Sequence, residues 1–144
     1  MYAMATHDQQ TAERWHMQFA STAACVSLVR RQVEKTLSEW GYVLDDIDRV
    51  VLVSSELATN AVLHGHVPGH LFEVALISTD HSCLIEVSDG SPRTPMALRL
   101  TADEEHGRGL PLVSALAIRV GHHARKPRGK TVWAHMLRTS QGSR

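Results

Sequence analysis

Cysteine, long apolar runs and any excess of one charge are scarce in this sequence of 144 residues. Lysine plus arginine equals aspartate plus glutamate, 15 of each. A net charge of zero argues against a surface built mainly to hold nucleic acid. The one local excess, Arg125, Lys126, Arg128 and Lys130, reads as a solvated loop. The two cysteines, Cys25 and Cys83, stand far apart and match no metal or redox spacing. Both sit among apolar neighbours, so buried free thiols are expected, which suits a reducing cytosol. No apolar run approaches the ~20 residues needed to cross a bilayer. The opening "MYAMATHDQQ" has neither the basic nor the apolar region of a signal peptide. A cytoplasmic chain without membrane contact is the expectation.

Apolar residues make up 43% of the chain, enough for one globular domain with its own core. Residues 1–10 and 139–144 read as disordered termini, leaving a single domain over 11–138. Trp15, Met17 and Phe19 alternate with polar residues, a strand pattern. Ser21 or Thr22 can cap a helix running to about Trp40, with Gly41 ending it. A second helix is expected from Asp45 or Asp46 to His64-Gly65, since acids suit a helix N-terminus. Residues 71–79 and 82–89 read as two strands of an antiparallel hairpin. Residues 90–108 show no period, and a loop that long is usually functional or mobile. Residues 110–117 read as a short helix with Pro111 in its first turn, and two further strands follow around the basic loop. The order β-α-α-β-β-loop-α-β-β predicts an α+β two-layer sandwich. Its sheet should be mostly antiparallel, mixed, and covered on one face by helices.

The second helix poses the functional question. At about 100° per residue, Ile47, Val50, Val51, Ser54, Leu57, Ala58, Ala61 and Val62 share one core-facing side. Glu56 points away from it, and Asn60 lies beside Glu56 one turn on. Their companions are Leu52, Val53, Thr59 and Leu63 rather than the lysines and glutamates of a wet face. Both sides of the helix therefore read as covered. An acid in apolar surroundings needs a partner or a task. A divalent cation with bound phosphate would use Asn60 as a neutral oxygen ligand, and Glu56 could accept a hydroxyl proton. A solvated Glu56 with a locally bonded Asn60 explains the helix alone equally well.

Three further stretches bear on the choice. Asp89 closes an apolar strand in "IEVSDGSPRTP" and could accept a hydrogen bond from an exocyclic amine such as adenine's. Gly107 and Gly109 precede a helix in "HGRGLPLV", where backbone N–H groups can meet phosphate. "GKTVW" opens the last strand. The histidines of "HGHVPGH" (His64, His66, His70) match no usual zinc spacing. Trp15, Trp40 and Trp133 read as core or interface anchors.

In this order the pieces resemble the GHKL ATPase superfamily, and more closely its small anti-sigma-factor serine kinases. The Glu-x-x-x-Asn pattern of "ELATNAVLHG" is the most specific, and the resemblance covers roughly residues 13–138. It implies ATP and Mg²⁺ as cofactors, Glu56 as general base and Asn60 as the Mg²⁺ ligand. It further implies His64 near the phosphates and Asp89 reading the adenine. Gly107, Arg108, Gly109 and Leu110 would form the second glycine box, Thr131 would lie near the base, and 91–106 would be the ATP lid. The partners implied are an anti-anti-sigma antagonist and a sigma factor, with a homodimer as in many relatives. Ser91 stands where the first glycine box has glycine, and Pro92 follows it. That departure favours an alternative: a catalytically weak or inactive partner-switch module of the same fold, regulating transcription without phosphoryl transfer.

Overall fold

A computed structural model describes residues 12–91 and 109–139. In chain order the elements are β1 (Glu13–Ala20), α1 (Ala23–Glu39), α2 (Leu44–His64), β2 (Leu71–Ser78), β3 (Ser82–Asp89), α3 (Gly109–Leu116), β4 (Arg119–Ala124) and β5 (Lys130–Leu137). The termini expected at 1–10 and beyond Thr139 fall outside the described residues, as does the expected lid from Pro92 onward. The strands form one sheet in the order β1-β2-β3-β5-β4.

Every strand pairing is antiparallel, where a mixed sheet was expected. The connections explain this. Two successive helices separate β1 from β2, so the chain returns along the sheet in the opposite sense. The single helix α3 does carry the chain to a strand running parallel to β3. That strand, β4, is kept from β3 by the intervening β5, so no parallel pair forms.

Local chemistry sets the helix ends. Thr22 caps α1, its hydroxyl oxygen accepting from the Cys25 N–H at 3.3 Å. Past its end, Gly41 adopts φ +84°, a left-handed conformation open to glycine. α2 starts without a side-chain cap, but Asp45 and Asp46 lie in its first turn.

Asp46 is buried. Its Oδ2 accepts from the Thr139 N–H at 2.8 Å and the Thr139 hydroxyl at 2.9 Å, and its Oδ1 pairs with Arg49. Arg138 lies 4.0 Å over the Tyr42 ring and donates to the carbonyls of Thr79 and Trp40. Thr139, grouped with the tail on sequence, is thus fastened to the start of α2.

Helices cover one face of the sheet. β2 buries Phe72, Val74 and Leu76 there, and β3 buries Cys83, Ile85 and Val87. Against them α2 packs Val50, Leu57, Ala58 and Ala61, and α1 packs Val29, Val33 and Leu37. Both thiols are free, but only Cys83 is buried; Cys25 is half-covered. Burial pushes the Cys83 thiol up to about 11.

Val53 corrects the helical wheel. Grouped with the outer side of α2, it is fully buried. α1 packs along that flank, where Arg30 donates to the Ser55 hydroxyl at 2.9 Å, so the buried arc exceeds one sheet-facing stripe. The outer side is not wholly covered either, since Leu63 is 68% exposed. The three tryptophans are half-buried. Among the described residues no helix is long and apolar enough to cross a membrane.

The two adjacent acids of α2 give a direct comparison. Asp46→Ala removes a charged acceptor serving two donors and an arginine, and is expected to cost about 2 kcal/mol. Asp45→Ala, at an exposed position, is expected to cost about 0.5 kcal/mol. Urea unfolding of both variants measures the difference, and equal midpoints would refute the clamp.

Candidate functional site

Three side chains of the Glu-x-x-x-Asn helix fall on one flank of α2 at four-residue spacing: Glu56, Asn60 and His64. Glu56 and Asn60 are half-buried, and His64 is exposed at the helix end. β3 ends at Asp89, which stands in register opposite Lys130 on β5. Side chains alternate along strands, so Val87, Asp89, Lys130 and Val132 all turn towards α2. With Leu57, Asn60, Ala61 and His64 they line one small cavity.

Asp89 anchors this cavity, with only 5% of its surface exposed. Its Oδ1 accepts from the Ser91 backbone N–H at 2.8 Å. The Lys130 ammonium straddles the carboxylate, 3.0 Å from each oxygen. Lys130 is itself 6% exposed. A buried charge of either sign is costly without such a partner. The expected solvated basic loop therefore holds for Arg125, Lys126 and Arg128, which are exposed, but not for Lys130.

Two glycines admit the carboxylate and its backbone. Gly65 follows α2 directly, and a Cβ there would overlap Asp89 Oδ2 and stand 3.0 Å from the Ala61 carbonyl oxygen. Gly129 has φ +101°, and a Cβ there would run into the Asp89 carbonyl oxygen. On sequence Gly65 marked the end of the second helix and Gly129 the opening of the last strand; their part in the site depends on packing between distant segments.

Of the residues singled out on sequence, Asn60, His64 and Asp89 line the cavity. Glu56 lies one turn before Asn60 without lining it. Ser91 is buried and contributes its backbone N–H to Asp89. Gly109 and Leu110 open α3. Gly107, Arg108 and most of the expected lid lie outside the described residues.

Thr131 is placed differently. Its hydroxyl lies 2.7 Å from the Ser88 hydroxyl on the far face of the sheet. Its neighbour Lys130 takes the inward position. Strand alternation back from Met136, Ala134 and Val132 is the signal that identifies Lys130 as inward.

The side chains lining the cavity are of the kinds that a purine nucleotide requires, although the space between them is small. Leu57, Ala61, Val87 and Val132 offer apolar surfaces for a flat ring, and Asp89 offers an acceptor for an exocyclic amine. Asn60 supplies a neutral oxygen of the kind Mg²⁺ accepts beside phosphate. The enclosed space is about 10 Å³, room for about one water. A larger hollow of about 490 Å³ lies on the opposite sheet face, lined by residues such as Ile77, Leu84, Glu86 and Trp133. It is broad and open and contains none of these groups.

The helix with its acid and amide, the strand-end aspartate and the antiparallel sheet carry the residues on which the resemblance to the GHKL class of ATP-binding domain rests. The model of the histidine kinase-like ATPase domain family matches residues 19–136, and the chain belongs to that family. Membership brings a role in ATP binding. Comparison with curated protein sequences gives no significant match.

Solved structures that share the fold include two of different origin. One holds the RsbU and RsbW domains of Rv1364c from Mycobacterium tuberculosis, with TM-score 0.63 and 23% identity over 90% of this chain. This chain spans only 34% of that one. The other is the SiaB–SiaC complex from Pseudomonas aeruginosa, with TM-score 0.64 and 11% identity. That match covers 92% of this chain and 94% of the other.

Gly65→Ala tests the close approach of α2 to Asp89. Overpacking at such a contact costs about 1–3 kcal/mol. The urea midpoint should fall accordingly, and an unchanged midpoint would show that the carboxylate has room to move.

Proposed function

We propose that the chain is an ATP-binding serine kinase of the anti-sigma type. In this reading it phosphorylates a serine of an antagonist protein and holds a sigma factor. The observation that carries the proposal is the convergence of Asn60 from α2 and Asp89 from β3 on one cavity, with Glu56 a turn away. One chain of the SiaB–SiaC complex has this fold, and in that complex it is joined to a second protein, which supports a protein partner.

The roles follow from the chemistry of each side chain. Asp89 accepts a hydrogen bond from the adenine amine, and Leu57, Ala61 and Val132 exclude water from the ring. The Asn60 side-chain oxygen would hold Mg²⁺, and His64 would stand near the phosphates. Bound Mg²⁺ supplies charge neutralisation on the phosphate oxygens. Glu56 takes the proton from the attacking serine hydroxyl as a new oxygen–phosphorus bond forms at the γ-phosphorus. The bond to the β-phosphate oxygen breaks, and ADP leaves. Most of the acceleration would come from positioning and charge stabilisation.

A second reading keeps the fold and drops the phosphoryl transfer. Ser91 in the first glycine box and the Lys130–Asp89 ion pair both favour a regulatory module that binds nucleotide weakly.

Calorimetry with ATP, with and without Mg²⁺, combined with a transfer assay, separates the readings. Glu56→Ala should retain nucleotide binding and lose about 10²–10⁴-fold in transfer rate, the usual contribution of a general base. Asn60→Ala should abolish the Mg²⁺-dependent part of the heat. Transfer at the wild-type rate in Glu56→Ala would exclude that residue as the base.

A further inference from the structure

The inward position of Lys130 has no task in the scheme above, yet it occupies the point where a purine amine would meet Asp89. Its ammonium stands 3.0 Å from both carboxylate oxygens, and the Ser91 N–H takes a further acceptor position on Oδ1. The cavity left around this pair is about 10 Å³. A purine ring system, with roughly ten non-hydrogen atoms, needs more than the single water that such a space holds. Some part of the wall must therefore move before a base can enter.

The lining residues differ in their freedom to do so. Leu57 and Val87 are fully buried in the core, and Val132 nearly so. Ala61 is the last buried residue of α2 and has no side chain beyond its Cβ to move. Asp89 is fixed by Gly65, Gly129 and Ser91 around it. Asn60 and His64, half-buried and exposed, belong to the phosphate end in the scheme above; among the buried lining residues Lys130 alone has a long flexible stem, with four carbons and a rotatable ammonium.

We infer that Lys130 is an internal occupant of the base end of the pocket, which competes with a nucleotide for Asp89 and sets the affinity at which the nucleotide binds. The inference rests on the nucleotide-site reading above. Any donor to the carboxylate makes a charge-assisted bond, but only the ammonium also supplies the opposite charge that a buried carboxylate requires. The base must displace the stronger partner, so the wild-type protein binds nucleotide less tightly than the same pocket with a short neutral residue. The position opposite Asp89 in the β3–β5 register thus determines whether the protein works as an efficient ATP binder or as a weak one.

Two variants of the full chain test this. Lys130→Thr removes both stem and charge. Lys130→Gln keeps an N–H for the Asp89 carboxylate, so it preserves the fold where the threonine variant fails to. Titration calorimetry with Mg·ATP should give a dissociation constant at least tenfold lower for Lys130→Thr than for wild type. Lys130→Gln should be severalfold lower, and it decides the matter if the threonine variant does not fold by circular dichroism. Unchanged or weaker binding in the folded variants overturns the inference, assigning Lys130 a supporting or base-reading role. Binding by none of the three proteins overturns the nucleotide-site reading itself, and this proposal with it.

Discussion

A carboxylate that is 5% exposed at the end of an apolar strand is the constraint on which the site depends. Asp89 can be buried as an anion only because three separate segments serve it. Lys130 neutralises it from β5, Ser91 donates a backbone N–H from the turn after β3, and Gly65 leaves room at the end of α2. Remove any of them and the group is either unpaired in a poorly solvated place or pushed aside. Gly129 completes the arrangement by letting the β4–β5 loop pass close to the Asp89 backbone. The strand register that places Asp89 opposite Lys130 is therefore as much part of the site as the side chains are.

α2 is the other half of that arrangement, and it is tied to the sheet at both ends. Its start is fastened by Asp46 to Thr139, beyond β5. Its end meets Asp89 through Gly65. Between these ties the sheet-facing residues and Val53 hold the helix against β3 and α1, which fixes how far Asn60 stands from the strand ends. The outward flank can then carry Glu56 and Asn60 as half-buried groups without unsettling the core. A helix held only by its apolar stripe would leave that spacing to side-chain packing alone.

Much of this was legible in the sequence. Strand alternation, the Thr22 cap, Gly41 and the acid-first start of α2 gave the element order because each is a local signal. The Glu56–Asn60 spacing put both side chains on one flank of α2, and Asn60 and the strand-end Asp89 line the same cavity, while Glu56 stands a turn away from it. What was not legible depended on contacts between distant segments. Val53 is buried by α1, which no wheel drawn for α2 alone can show. Lys130 looked like the end of a solvated basic run, because its partner Asp89 comes from another strand. Thr131 shares its strand but faces Ser88 on the opposite side of the sheet, a distinction of one residue in register. The antiparallel pairing throughout follows from β5 separating β4 from β3, an order that adjacency along the chain does not reveal.

The central claim is that a nucleotide enters between α2 and the strand ends at Asp89, and not at the larger hollow on the opposite sheet face. Amide chemical-shift mapping of the isotope-labelled chain during titration with Mg·ATP tests it most directly. The account predicts the largest shifts at Asn60, Gly65, Gly90, Ser91 and Lys130. Shifts confined to Ile77, Leu84, Glu86 and Trp133 on the far face, or no shifts at saturating nucleotide, would contradict it.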